Sequence, residues 1–233
     1  MNTLMRMLVT IILLTSLEGI CGFTRSSVAG RQSIVSQDGD DSPYDAKVQY
    51  IEGTGMQYID TEIYCMKNYA FEFVISVPYE GVPYEDWFGG SNSDSQRGWR
   101  FRRNNKTEQV LFSIGNRYTS SGVTMSKNTP HEITMSGDGV GTIDGEVVAM
   151  TGYSLGFDQS VRLYLFAYSK NNTPYRIGKA RFYSFRCFDT DSGLLVRDFV
   201  PVRKSGFGYM FDRVSGELFG NMGIGEFLIG PDL

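Results

Sequence analysis

The chain has 233 residues, 41% of them hydrophobic and 14% aromatic, with a net charge of −4, three cysteines and one histidine. That is enough apolar material for one sizeable core without a structural metal or many disulfides. The mild acidity, with no basic block, argues against counterion-driven binding to nucleic acid, and so few Cys and His argue against a zinc site.

Arg6 is followed by the apolar run Met7 to Leu14 and then by Thr15 to Gly22, which is richer in small residues. This is the order of a secretory signal peptide, expected to be cut after Gly19 or Gly22. The run is too short to span a bilayer, so no membrane span is expected. The protein is expected to be secreted or at the cell surface. Cys21 offers a lipoprotein alternative, but Glu18 and Ile20 stand where a lipobox wants Leu and a small residue. Residues 1–22 are therefore read as signal peptide. Residues 23–46 are polar and without period, and are read as a flexible linker. Residues 47–233 are read as one folded domain.

Within that domain, Val48–Ile51 and Gln57–Thr61 are short β-prone runs around Gly53-Thr54-Gly55. Tyr69–Val77 puts Phe71, Phe73, Ile75 and Val77 on one face by the period of two. Pro78, Gly81 and Pro83 end it. Trp87–Gly90 begins another strand, Ser91 to Arg97 is a polar loop, and Trp99–Arg102 alternates aromatic with basic. Gln109–Ile114 sets Val110, Phe112 and Ile114 on one face. His131–Met135 is a strand. Asp144-Gly145, between β-prone residues, is a hairpin signal. Val161–Tyr168 reads as one strand, with Val161, Leu163, Leu165 and Ala167 on one side and Arg162, Tyr164, Phe166 and Tyr168 on the other. Lys179–Phe219 holds two long β-rich runs about the turn Asp189–Gly193, then Phe207–Phe211, the turn Arg213–Gly216 and Leu218-Phe219. Helical periodicity is weak and no repeat of 20–50 residues appears. Many short strands with frequent turn signals predict an all-β antiparallel sandwich or barrel.

If Cys21 leaves with the signal peptide, Cys65 and Cys187 remain. An oxidising compartment permits a disulfide between them, and two separate buried thiols is the other reading.

Tyr50 to Thr61, YIEGTGMQYIDT, resembles the opening "YIESTGTQYIDTG" of a bacterial and phage group of concanavalin A-like, LamG-type jelly-roll domains. Leu194 to Arg203 resembles that group's closing "LVRDFVPVR". Tyr209 to Phe219 is similar to its "GLYDKVSGKFF", and Asn221 to Phe227 to its tail "NAGTGTF". The middle runs at Trp87-Phe88-Gly89 and Leu165-Phe166-Ala167 are similar to its "LFG" and "LFA" strands. The likeness covers residues 47–233. It departs at Tyr64-Cys65 and in the loop Tyr79 to Asp86. It implies a two-sheet antiparallel β-sandwich, the concanavalin A-like jelly roll, whose wider superfamily of lectins, carbohydrate-binding modules and glucanases uses the concave face or rim loops.

The superfamily's glucanases carry a Glu-x-Asp-x-(x)-Glu strand that brings carboxylates to one face. No such spacing occurs here: Glu85 and Asp86 are adjacent, and Glu72 sits alone in an apolar strand. A triad would have to use His131, which follows Pro130 at a strand start and reads as structural. No catalytic residue and no metal ligand is assigned. Loop carboxylates leave room for calcium, though Asp158, Asp189 and Asp191 read as turn formers. Sugar rings, with apolar faces and polar edges, suit amphipathic aromatics beside hydrogen-bond donors. Trp87, Trp99, Arg100, Arg102, Arg162, Tyr164, Tyr168 and Arg186 are the candidate ligand-binding residues. The plain alternative for each aromatic is core filling.

The sequence thus predicts an exported, non-catalytic carbohydrate-binding or adhesion module, with a glycan or cell-surface polysaccharide as partner. A structural or assembly domain without a sugar site is the alternative, and a glycoside hydrolase is third.

Overall fold

A computed structural model describes residues 42–78, 85–92, 98–104, 107–115, 117–149 and 157–233. The expected signal peptide, and the expected linker as far as residue 41, lie outside the described residues. In chain order the strands are β1 (Ala46–Lys47), β2 (Ile51–Thr54), β3 (Ile59–Tyr64), β4 (Tyr69–Ser76), β5 (Asp86–Ser91) and β6 (Gly98–Arg103). Then come β7 (Val110–Gly115), β8 (Arg117–Ser120), β9 (His131–Ser136), β10 (Val140–Ile143), β11 (Glu146–Ala149), β12 (Arg162–Leu165) and β13 (Tyr168–Lys170). The last are β14 (Thr173–Tyr175), β15 (Lys179–Asp189), β16 (Leu195–Lys204), β17 (Phe207–Asp212), β18 (Glu217–Phe219) and β19 (Leu228–Ile229). No helix occurs among the described residues, so none there is long and apolar enough to cross a membrane.

The strands form two sheets, one of eleven strands and one of eight. The larger runs β11-β10-β9-β4-β15-β16-β17-β18, with β2 beside β15, β19 beside β2 and β1 beside β16. The smaller runs β14-β13-β5-β6-β7-β8, with β12 beside β5 and β3 beside β12. The fold is the expected all-β sandwich. Pairing is antiparallel except between β13 and β5, where Ser169 and Lys170 run parallel to Gly90 and Ser91.

Alternation explains the packing. In β4, Phe71, Phe73 and Ile75 point inward and are fully buried, while Glu72 points out. Their rings meet those of the smaller sheet: Phe71 lies 4.9 Å from both Phe88 and Trp99, and Phe73 lies 5.3 Å from Phe101 in an edge-to-face contact. Each fully buried Phe contributes roughly 1.5–3 kcal/mol through area alone, and each such ring pair about 0.5–1.5 kcal/mol more. The Asp-Gly signal is realised as the β10–β11 turn, where Asp144 (φ 52°) and Gly145 (φ 82°) both take the left-handed conformation a two-residue hairpin demands.

Two expectations need correcting. The run Val161–Tyr168 is two strands, not one. Phe166 adopts φ 63°, the chain turns there, and its ring is fully buried 4.7 Å from Phe182 and 4.8 Å from Phe227. A non-glycine residue in that conformation costs on the order of 1–3 kcal/mol, which burial of the ring offsets. The domain boundary also lies earlier than residue 47: the Asp45 amide donates to Arg203 O at 2.8 Å, Ala46 pairs with Arg203, and Tyr44 packs edge-on against Phe211. Cys65 and Cys187, for which a disulfide and two separate thiols both stood open, are free buried thiols. Cys65 follows β3 in the smaller sheet and donates to Gly90 O at 3.1 Å, while Cys187 sits in β15 of the larger.

Candidate functional site

The eight candidate binding residues do not assemble. Trp87 and Trp99 are fully buried on the inner faces of β5 and β6. The bulge between Asp86 and Phe88 brings Trp87 inward against Phe101, and Trp99 N–H donates to Met66 O at 2.9 Å. Neither can offer a ring face to a ligand, so both leave the candidate set.

Arg100 and Tyr168 do come together, on the outer side of the smaller sheet. Arg100 grips the fully buried carboxylate of Asp86 at two points, 2.5 and 2.7 Å. Its guanidinium stands 4.1 Å from the Tyr168 ring centre, and the Tyr168 hydroxyl bonds the Ser91 hydroxyl. Burial pushes the Tyr168 phenol above its ordinary value. These polar groups satisfy one another. Arg102 shares β6 with Arg100, in register with Asp86 and Leu111. Arg162 is held by Asp60 at 2.9 Å, and Tyr164 is buried with its hydroxyl donating to Asn172 O. Arg186 belongs to the other sheet, in an alternating charge row with Glu72 and Asp198. A row of that kind is an ordinary solvated sheet face.

His131 is engaged at both ring nitrogens. Nε2 accepts the Ser126 amide at 3.0 Å, so Nδ1 carries the proton it donates to Asp144 at 2.6 Å. Asp144 also accepts the Glu132 amide at 2.8 Å. Burial by itself would raise the Asp144 carboxyl, but these bonds outweigh it and hold it below its ordinary value. The ring thus ties the β10–β11 turn to the start of β9. Asp158 and Asp189 accept amides of their own turns, from Ser160, and from Asp191 and Ser192. Among the described residues, no group of three or more His, Cys, Asp or Glu could hold a metal.

A cleft of about 450 Å3 opens elsewhere, between β17 and the tail segment, lined by Phe207, Gly208, Tyr209, Gly220, Asn221, Gly223, Gly225 and Glu226. Alternation along β17 turns Gly208, Met210 and Asp212 inward and leaves Phe207, Tyr209 and Phe211 on the outer face. Phe207 is 44% exposed, and Glu226 is exposed. The Tyr209 ring is half-buried over Gly220, where a Cβ would stand 3.0 Å from it. The volume lies within the range of about 300–1,000 Å3 usual for small-ligand sites.

The cleft wall is braced by residues from the far end of the chain. The Gln57 side chain is buried, accepts the Thr54 amide at 2.8 Å and donates to Ile224 O at 3.0 Å. Asn221 Oδ1 accepts the amides of Gly223 (2.7 Å) and Tyr58 (3.3 Å), while its Nδ2 donates to Gly225 O (2.6 Å). A Cβ on Gly223 would fall 2.1 Å from Met56 O, so only glycine lets the two segments approach this closely. Phe207–Phe211 and the tail Asn221–Phe227 each stand out in the sequence, the first as a β-prone run and the second by its resemblance. Nothing local indicated that the tail folds back beside it.

No protein-family model matches the chain, and no curated protein does. Among solved structures, the chain is similar to one from Bacteroides ovatus described as "a putative carbohydrate binding protein", with 12% sequence identity and a TM-score of 0.55. The likeness covers 80% of this chain and 60% of that one, so this chain spans less than two thirds of its neighbour. At that identity the likeness shows the fold alone: an all-β sandwich.

Proposed function

We propose that this chain is an exported, non-catalytic carbohydrate-binding module of the concanavalin A-like, LamG-type jelly-roll kind, and that it takes glycan in the cleft between β17 and the tail. The observation that carries this is the pairing of Phe207 and Tyr209 with Glu226 and glycine backbone in an open cleft. Aromatic rings suit the apolar faces of a sugar, and polar groups suit its hydroxyl edges. Bracing by Gln57 and Asn221 means little ordering accompanies binding. The carbohydrate-binding description of the Bacteroides ovatus neighbour agrees with this reading.

The non-catalytic part rests on three arrangements. Glycoside hydrolysis generally takes two carboxyl groups across the scissile bond, and among the described residues Glu226 is the one carboxylate that lines the cleft. Asp86 is held by Arg100, and both ring nitrogens of His131 are engaged. Export rests on the signal-like order of Arg6, Met7–Leu14 and Thr15–Gly22. N-terminal sequencing of protein recovered outside the cytoplasm should begin at residue 20 or 23; a chain retained inside with Met1 intact removes that part.

A glycan array probed with the full chain tests the binding reading, with Tyr209→Ala as control. The expected result is binding to a subset of glycans, lost in the variant at unchanged melting temperature. The assembly-domain alternative is favoured by the exposed apolar side chains Met56, Met222 and Ile224 beside the cleft. It would give no glycan binding with either protein.

A further inference from the structure

On the reading that the cleft binds glycan, we infer that it selects uncharged or amine-bearing sugars and discriminates against acidic ones such as uronic or sialic acids. The basis is the balance of donors, acceptors and charge at its wall. Glu226 is exposed, and among the described residues that line the cleft there is no Lys, Arg or His. Recognition of a sugar carboxylate ordinarily uses a cation or a set of convergent N–H donors. The donors nearest to hand are already engaged. The Gly223 amide bonds Asn221 Oδ1, and Asn221 Nδ2 bonds Gly225 O. What the wall offers is a carboxylate, which accepts from sugar hydroxyls, together with the Tyr209 hydroxyl and two aromatic faces. A neutral hydroxyl edge fits this wall. A second carboxylate brought near Glu226 meets repulsion with no compensating charge. At a partly solvated site that repulsion amounts to about tenfold in affinity, and it weakens as salt is raised. An ammonium on the sugar would be drawn to the same carboxylate.

The test measures affinity by calorimetry for three tetrasaccharide probes, of glucose, of glucuronate and of glucosamine, in low salt. It uses the full chain and Glu226→Gln. The native protein should bind the glucuronate probe about tenfold more weakly than the glucose probe, and the glucosamine probe more tightly. In Glu226→Gln the three affinities should draw to within about twofold of one another, and added salt should narrow the native gap. Equal or tighter native binding of the glucuronate probe, or a gap that Glu226→Gln leaves as it was, overturns the inference and leaves the glycan-binding reading standing. Absence of binding to any glycan overturns both.

Discussion

The carboxylate of Asp212 is fully buried and accepts the amide of Asp198 at 2.8 Å, across the ladder between β16 and β17. The same carboxylate takes the amides of Val214 (3.1 Å) and Ser215 (3.2 Å), which closes the turn into β18, and Arg197 lies 3.6 Å away. Asp198 in turn holds Arg213 at 2.6 Å and faces Arg186 at 3.4 Å. The Arg-Asp-Phe and Phe-Asp-Arg segments therefore tie neighbouring strands of the larger sheet to one another and to the turn into β18.

Replacing Asp212 with Ala leaves three backbone amides without their acceptor. The expected loss is about 3–5 kcal/mol, from several hydrogen bonds to a buried charge. Asp212→Asn keeps one acceptor oxygen and should lose less. Urea denaturation, read as a midpoint shift at constant slope, distinguishes the two. Equal stability of Asp212→Ala and the native protein would contradict the role given to this carboxylate.

Arg100→Met should lower stability by about 3–5 kcal/mol, because it leaves the buried Asp86 carboxylate unpaired. The double variant Asp86→Leu with Arg100→Met should recover most of that loss, since replacing both partners removes the desolvated charge as well as the attraction. A thermal melt of the four proteins reads the coupling. Additive losses would show that the two groups do not act as a pair.

Burial pushes the Cys65 thiol up to about 12 and raises Cys187 as well. Neither should react with iodoacetamide in the native protein at pH 8, both should react in urea, and a reductant should leave the melting temperature unchanged. The linkage has a definite sign. The native state holds the Cys65 proton more tightly than the unfolded chain does, so its contribution is complete below the ordinary thiol value. It is lost as pH rises from about 9 towards 12. Cys65→Ala should show a shallower alkaline decline than the native protein, and an identical decline would contradict this account.

Gln57→Ala removes the brace between the opening turn and Ile224 O. The cleft wall should loosen, with glycan affinity falling by about tenfold through the cost of ordering the tail. The fold should lose only about 1–2 kcal/mol, the usual value of one buried polar side chain's bonds. Calorimetry and urea denaturation on the same variant compare the two losses, and an unchanged affinity would show that this brace does not shape the site.

Much of the fold was legible because it follows local rules. The period-two burial of Phe71, Phe73 and Ile75, and the Asp144-Gly145 turn, each follow from a few neighbouring residues. The break at Phe166 is not legible, because a single left-handed residue interrupts a run that otherwise alternates throughout. The burial of Trp87 and Trp99 is not legible in the sequence, because period two fixes which residues share a face but not which face is covered. The cleft was out of reach for a different reason: its wall depends on Gln57 meeting Ile224, which stands 167 positions away in the chain. Nothing in either segment names the other.

The most direct measurement is isothermal titration of an array-selected neutral oligosaccharide into the full chain and into Tyr209→Ala, each checked for an unchanged melt. The native protein should bind saturably and the variant should lose at least about tenfold, the scale of one stacked aromatic contact. Undiminished binding by Tyr209→Ala, or no binding of any glycan by the native chain, would contradict the account.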